Sequence, residues 1–307
     1  NVAPTLAVKK QQVALAQSAL SLNQLELKLE VQKSYSTLYA ARQRFLSYQS
    51  MDTAYQNFER AARLRYENEA TSKLEYLAAQ NAARQLTIKR NQAFQDYQMA
   101  LQRFNLWLMS DTLYTVPEDW QPKLDFNAAP TAQPNDHPIL QQAQQQQLLT
   151  EQKYHQQRWQ YLPQVNVQYG PQSINGESGF YQFQAGLTIP LVFSSQLGKT
   201  QALKIQKAQA LQNVKEQENE WQLKLANSRL NFEKWQQTWR FYQEETLDLA
   251  KEQRQGALVA FENGAIDYLA FIQNTQNAMQ LELEAWQAFE KYLISYYQLH
   301  YYLDPIP

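Results

Sequence analysis

The stretch "GFYQFQAGLTIPLVFSSQLGKTQALKIQKAQA" (Gly179–Ala210) changes its period partway along. Tyr181, Phe183, Ala185, Leu187, Ile189, Leu191 and Phe193 alternate with Gln182, Gln184, Gly186 and Thr188, the period of two that marks a half-buried strand. Pro190 stands near the strand's end, and beyond it small and polar residues continue without a breaker. Upstream, "LPQVNVQYG" (Leu162–Gly170) alternates Val165, Val167 and Tyr169 with Gln164, Asn166 and Gln168. With Pro171, Gly176 and Gly179 between them, the two runs predict one β-hairpin over about residues 163–193. Strands of roughly 8 to 12 residues suit a tilted span of a bilayer core. A single hairpin cannot cover its own edges, so it is expected to close into a sheet with other copies. The alternative is a soluble hairpin packed on a helix, which has the same periodicity.

The rest of the chain reads as long helix. Of 307 residues, 11 are proline, yet none lies between Thr5 and Val116 or between Leu191 and Asp304, and no glycine precedes Gly170. Such spacing removes the residues that most disfavour a helix interior. Leu6, Val13, Leu20 and Leu27 recur every seventh residue, and Val31, Leu38 and Phe45 continue four residues on, which predicts a coiled-coil seam. "YENEATS" (Tyr66–Ser72) supplies a turn, and the return helix is expected from Ser72, as N-cap, to Leu108.

The plan then repeats. A shift that carries "YENEA" (Tyr66–Ala70) onto "FENGA" (Phe261–Ala265) also places Leu74 on Leu269, Leu86 on Leu281, Phe94 on Phe289, Tyr97 on Tyr292 and Leu108 on Leu303. Two copies of one helical hairpin are the simplest account. Residues 1–108 form the first repeat, 109–136 an irregular proline-rich connector, and 137–307 the second repeat with the β-hairpin inside it. The expected fold class is therefore mainly α: long antiparallel coiled-coil hairpins in two repeats with one β-hairpin. Helix restarts at Pro138 behind Asp136 or His137 and stops at Pro163.

Composition removes several function classes. The net charge is -1, with Lys and Arg scattered among Asp, Glu and Gln, so no basic stripe exists to neutralise phosphates and nucleic acid is not a partner. Zero cysteine removes disulfides, thiolate metal sites and a Cys nucleophile, and is compatible with an oxidising envelope compartment. His137, His155 and His300 lie far apart, as do Met51, Met99, Met109 and Met279, so no soft-metal ligand set is expected and the histidines read as surface or connector residues. No phosphate loop or nucleophile motif is present. The chain reads as a non-enzyme without a cofactor. No run of residues is apolar enough for a transmembrane helix.

"LPQVNVQYG" followed by "GLTIPLVFSSQLGKTQALKIQKAQA" resembles the second-repeat hairpin of TolC-type outer-membrane efflux proteins. "HPIL" (His137–Leu140) resembles that family's helix start after its equatorial connector, and "RYENEA" and "FENGA" its helix-hairpin tips. Two residues depart from the pattern: Glu69 stands where the family prefers Gly, and Ala260 where the second tip has Arg. Under the repeat shift Asn1 falls just after the strand, so the first repeat lacks its hairpin. That arrangement resembles the shortened TolC-like domain fused to heavy-metal transporters of the resistance-nodulation-division type. A piece of a longer chain is the alternative.

The resemblance implies a passive duct or docking domain of a tripartite efflux system in the periplasm and outer membrane of a Gram-negative-type envelope. Its partners are a periplasmic adaptor and an inner-membrane efflux transporter, its assembly a homotrimer, and heavy-metal cations a candidate cargo. It makes Glu67, Asn68, Glu69, Ala70 and Thr71, with Glu262, Asn263, Gly264, Ala265 and Asp267, the partner-binding tips. Carboxylates at the tips are a candidate cation-attracting ring. Pro163, Val165, Val167, Tyr169, Phe183, Leu187, Ile189, Pro190, Leu191 and Phe193 form the membrane-side hairpin, with Trp159, Tyr161 and Tyr169 as interfacial aromatics. Three copies with two strands each give six strands, too few for a wide pore. A competing reading from another class is a soluble periplasmic coiled-coil spacer.

Overall fold

A computed structural model describes residues 2–117, 137–189 and 194–303. The helices are α1 (Val2–Glu67), α2 (Lys73–Leu108), α3 (Pro138–Trp159), α4 (Ser194–Phe241), α5 (Leu247–Glu262) and α6 (Tyr268–Leu303); the strands are β1 (Gln164–Ile174) and β2 (Glu177–Thr188). One π-helical turn, Tyr242–Thr246, separates α4 from α5. The end of the predicted hairpin, Pro190, Leu191 and Phe193, lies outside the described residues, as does the connector from 118 to 136.

The chain divides into two compact units. The first joins the start of α1, α3, the β-hairpin and the first part of α4. Its helices are tied by polar contacts: Gln156 Nε2 donates to Thr5 Oγ1 at 3.1 Å, the Gln11 amide donates to Gln145, and Lys207 on α4 pairs with Glu151 on α3. Val8, Leu140, Leu149, Val214 and Trp221 are buried here. His137 is the N-cap of α3, its Nδ1 accepting from the Ile139 amide at 3.2 Å while Pro138 starts the helix. Of the surface or connector position expected for the histidines, the surface reading does not hold at His137, whereas its expected place ahead of Pro138 at the helix start does. His137 is fully buried with its ring 6.1 Å from that of Trp221, because the cap places it under the helix end rather than in solvent.

The second unit packs the remainder of α1 with α2, the end of α4, α5 and α6. Where the helices approach the turns, Tyr55, Ala79, Ala83, Leu86, Tyr268, Phe271 and Ile272 form one core; farther along, Leu38, Tyr39, Phe104, Phe289, Tyr292 and Leu293 form a second. Each fully buried Leu or Phe contributes about 1.5–3 kcal/mol. Alanines at 79, 82, 83, 93 and 100 let α2 lie close to its neighbours. Tyr292, Tyr296, Tyr301 and Tyr302 at the end of α6 are buried, and burial pushes the Tyr292 hydroxyl pKa up to about 12. The π turn falls between half-buried Trp239, whose ring lies 4.6 Å from that of Phe289, and fully buried Ala250, where an extra residue re-phases the inward face.

The seven-residue seam needs correcting in part. Leu38 is buried and Val31 and Phe45 are half-buried, but Leu6, Val13 and Leu20 are 58–66% exposed and Leu27 is also exposed. The inward positions of early α1 are Val8, Ser18, Leu22 and Leu25. Early α1 has apolar residues on two faces, and a period of seven reports the more regular one without saying which is covered.

Candidate partner-binding tips and β-hairpin

Both hairpin turns are built by the same hydrogen bonds. At the first, the Glu69 amide donates to Tyr66 O at 3.0 Å and the Ala70 amide to Arg65 O at 2.7 Å. At the second, the Gly264 amide donates to Phe261 O at 3.0 Å and the Ala265 amide to Ala260 O at 2.8 Å. This is the Schellman closure of a helix end, and it requires a left-handed residue at its corner. Glu69 (φ 59°) and Gly264 (φ 69°) occupy that corner. Asn68 and Asn263 each turn their side-chain amides back onto a carbonyl, Leu64 O at 2.7 Å and Val259 O at 2.8 Å.

The following helices are capped by equivalent residues. Ser72 accepts from the Glu75 amide at 3.2 Å, and Asp267 Oδ1 accepts from the Ala270 amide at 2.8 Å. Thr71 donates to the Glu75 carboxylate. The turns thus bring together, within each tip, the residues singled out in the sequence. Glu67, Asn68, Glu69 and Ala70 are exposed and Thr71 half-buried; Glu262, Asn263, Gly264, Ala265 and Asp267 are all exposed. Glu67 is engaged by Arg63 at 2.9 Å, which offsets its charge within the first tip.

Each tip also carries an apolar pair that the sequence reading passed over. Leu64 and Leu74 flank the first turn, Val259 and Leu269 the second, and all four are exposed. The repeat alignment already equates these positions; what it lacks is their exposure, which depends on the packing of the whole unit.

The β-hairpin is antiparallel, with Val165 opposite Leu187, Val167 opposite Ala185, Tyr169 opposite Phe183 and Pro171 opposite Tyr181. Asn175 (φ 53°) and Gly176 (φ 86°) make the two-residue turn that joins the strands, a conformation this pair favours. All the large apolar side chains of that face stand in the open: Val165, Val167, Tyr169, Tyr181, Phe183 and Leu187 are 62–69% exposed, and Ile189 and Pro163 are exposed too. Tyr169 and Tyr181 stack at 5.5 Å. Among the described residues β1 and β2 pair only with each other, so both outer edges carry free backbone groups. Tyr161 fixes the hairpin's base, its hydroxyl 3.0 Å from Thr200 Oγ1 on α4. Trp159 is exposed beside it.

Among the described residues no group of three or more His, Asp or Glu could hold a metal ion, and no helix is long and apolar enough to cross a membrane. No protein-family model and no curated protein sequence matches the chain. Solved structures do match. The Campylobacter jejuni CmeC outer membrane channel superposes with a TM-score of 0.87 at 12% identity, covering 98% of this chain and 67% of that one. A membrane protein from Pseudomonas aeruginosa gives 0.85 at 16% identity, over 98% and 73%. The open state of the Neisseria gonorrhoeae MtrE outer membrane channel gives 0.79 at 13% identity, over 98% and 71%. At these identities the likeness is one of architecture: the chain has the mainly α fold, with a β-hairpin, of TolC-like outer-membrane efflux channels.

Proposed function

We propose that the chain is a TolC-like component of an envelope-spanning tripartite efflux system, a passive duct or docking domain in the periplasm and outer membrane of a Gram-negative-type envelope. The observation that carries this reading is the open apolar face of the β-hairpin. A coiled-coil spacer has no use for two strands with large apolar side chains in solvent and unpaired edges, whereas a strand pair that joins a membrane-side sheet needs both. The architecture shared with outer-membrane channels supports the same reading. It takes residues 1–108 and 137–307 as two repeats about the connector 109–136, and a homotrimer as the assembled form. No step of chemistry is assigned to the chain.

The two tips are the proposed contact for a periplasmic adaptor, which links the duct to an inner-membrane transporter. Exposed turn residues bordered by Leu64, Leu74, Val259 and Leu269 offer small apolar seats of the kind a helical hairpin fills. Ala70→Trp with Ala265→Trp tests the contact, since both residues are exposed and a bulky ring there leaves the helix cores untouched. Adaptor capture is expected to be lost while the far-ultraviolet spectrum is kept; capture at the parent level overturns the assignment. A finer form of the proposal takes heavy-metal cations as cargo, resting on the resemblance to transporter-fused domains. Restored export of such a cation in cells lacking their own duct supports it, and export of other solutes alone removes it.

A further inference from the structure

In the first compact unit, α1, α3 and α4 leave a cavity of about 900 Å³ between them. Each helix turns one face to it: Ala16 and Ala19 on α1, Ala143 and Gln146 on α3, and Gln217 and Glu220 on α4 are pairs three residues apart, which share one side of a helix. Alanines at 16, 19, 143 and 210 stand where larger side chains would close the gap, and Leu15 and Leu149 complete the apolar lining. Leu149 and Ala210 are buried, whereas Gln12, Glu216 and Glu220 are exposed, so the cavity has an apolar bottom and an open polar rim. Contacts outside the cavity hold its walls. The Gln11 amide donates to Gln145 O at 3.3 Å, joining α1 to α3, and Lys207 pairs with Glu151 at 2.5 Å, joining α3 to α4. The space is therefore preformed, and it falls in the size range of small-molecule sites.

Charge decides the class of ligand. Glu216 and Glu220 line the cavity, and among the described residues no lysine, arginine or histidine does. Glu220 shares its charge with Lys224 at 3.1 Å, whereas Glu216 makes no ion pair among the described residues. The remaining polar lining is neutral amide, including Gln142, Gln146 and Gln217. No aromatic ring lines the cavity either, so a cationic head would be held by N–H donation to carboxylate and amide oxygens, not on a ring face. An amine with N–H bonds to give meets that requirement. A quaternary ammonium has none.

We propose that this cavity binds an amphiphilic primary amine. Its apolar chain lies on the alanine-lined bottom, and its ammonium donates to Glu216 at the rim, with the neighbouring glutamine amides accepting the remaining N–H bonds. Every lining residue belongs to one unit of one chain, so the site goes beyond the efflux reading and does not depend on assembly.

Octylammonium, octyltrimethylammonium and octanol share one apolar chain and differ in the head, so together they separate the two parts of the site. Each is titrated calorimetrically into the full chain in a nonionic detergent, with the detergent alone as the blank. Octylammonium is expected to bind tightest, and octanol about tenfold more weakly. Glu216→Gln with Glu220→Gln is expected to weaken octylammonium by about tenfold and to leave octanol unchanged. Both residues are exposed, so this variant keeps the fold. Ala143→Phe fills the space and is expected to abolish binding of all three, with the far-ultraviolet spectrum reporting that its helices are kept. Equal affinity for octylammonium and octanol, or for octylammonium and octyltrimethylammonium, overturns the amine assignment, as does a carboxylate variant that binds like the parent. No heat above the blank with octylammonium overturns the site, while a detergent-dependent assembly of the same chain leaves the efflux reading standing.

Discussion

Glu69 sits at the same left-handed corner of its turn as Gly264 does in the second repeat, with φ of 59° and 69° and the same pair of backbone hydrogen bonds. An L side chain in that conformation costs about 1–2 kcal/mol, which glycine avoids. Glu69 therefore keeps a strained corner at one of the two sites proposed to meet a partner.

Glu69→Gly is expected to stabilise the folded chain by about 1 kcal/mol and Gly264→Ala to destabilise it by a similar amount, since the local geometry is equivalent. Urea unfolding midpoints of the two variants check this. A destabilised Glu69→Gly would mean that the carboxylate makes a contact that outweighs the strain.

Asp52 on α1 is only 5% exposed and accepts from three donors, Arg90 and Thr87 on α2 and Gln56 on its own helix. Removing the cation leaves a buried carboxylate with neutral donors alone. Arg90→Met is expected to destabilise by about 2–3 kcal/mol, and adding Asp52→Asn to recover part of that loss. A double variant no more stable than Arg90→Met contradicts a charge-based explanation and points to lost packing by the arginine stem.

The hydrogen bond from Lys207 holds the Glu151 carboxyl below the ordinary carboxylate range. A depressed folded-state pKa adds stability that is complete above the unfolded value and is lost as pH falls through the folded one. Lys207→Met is therefore expected to lower stability at neutral pH, with the difference from the parent shrinking as the solution is acidified through the carboxylate range. Unfolding midpoints measured across that range check it. A difference that stays constant contradicts an electrostatic origin.

Helical hairpins, their turns and the strand pair were legible in the sequence because each rests on local signals: absent breakers, a period of two, and a turn string that recurs. Ser72 was placed correctly as a cap because its role involves only its own helix end. The exposed seam of Leu6, Val13 and Leu20 was misread because periodicity marks an apolar face without naming what covers it. The burial of His137 was not legible for a related reason, since Trp221, which packs against it, is distant in sequence. The left-handed Glu69 was visible only as a departure from the resemblance; its backbone conformation needed the structure. Exposure of the apolar pairs beside both tips likewise depends on contacts that no local window contains.

The most direct test of the central claim is the mass of the purified chain by light scattering, with and without mild detergent. An envelope duct whose β-hairpin joins a membrane-side sheet predicts a detergent-dependent assembly of three chains. A chain that stays monomeric and soluble in both conditions contradicts it.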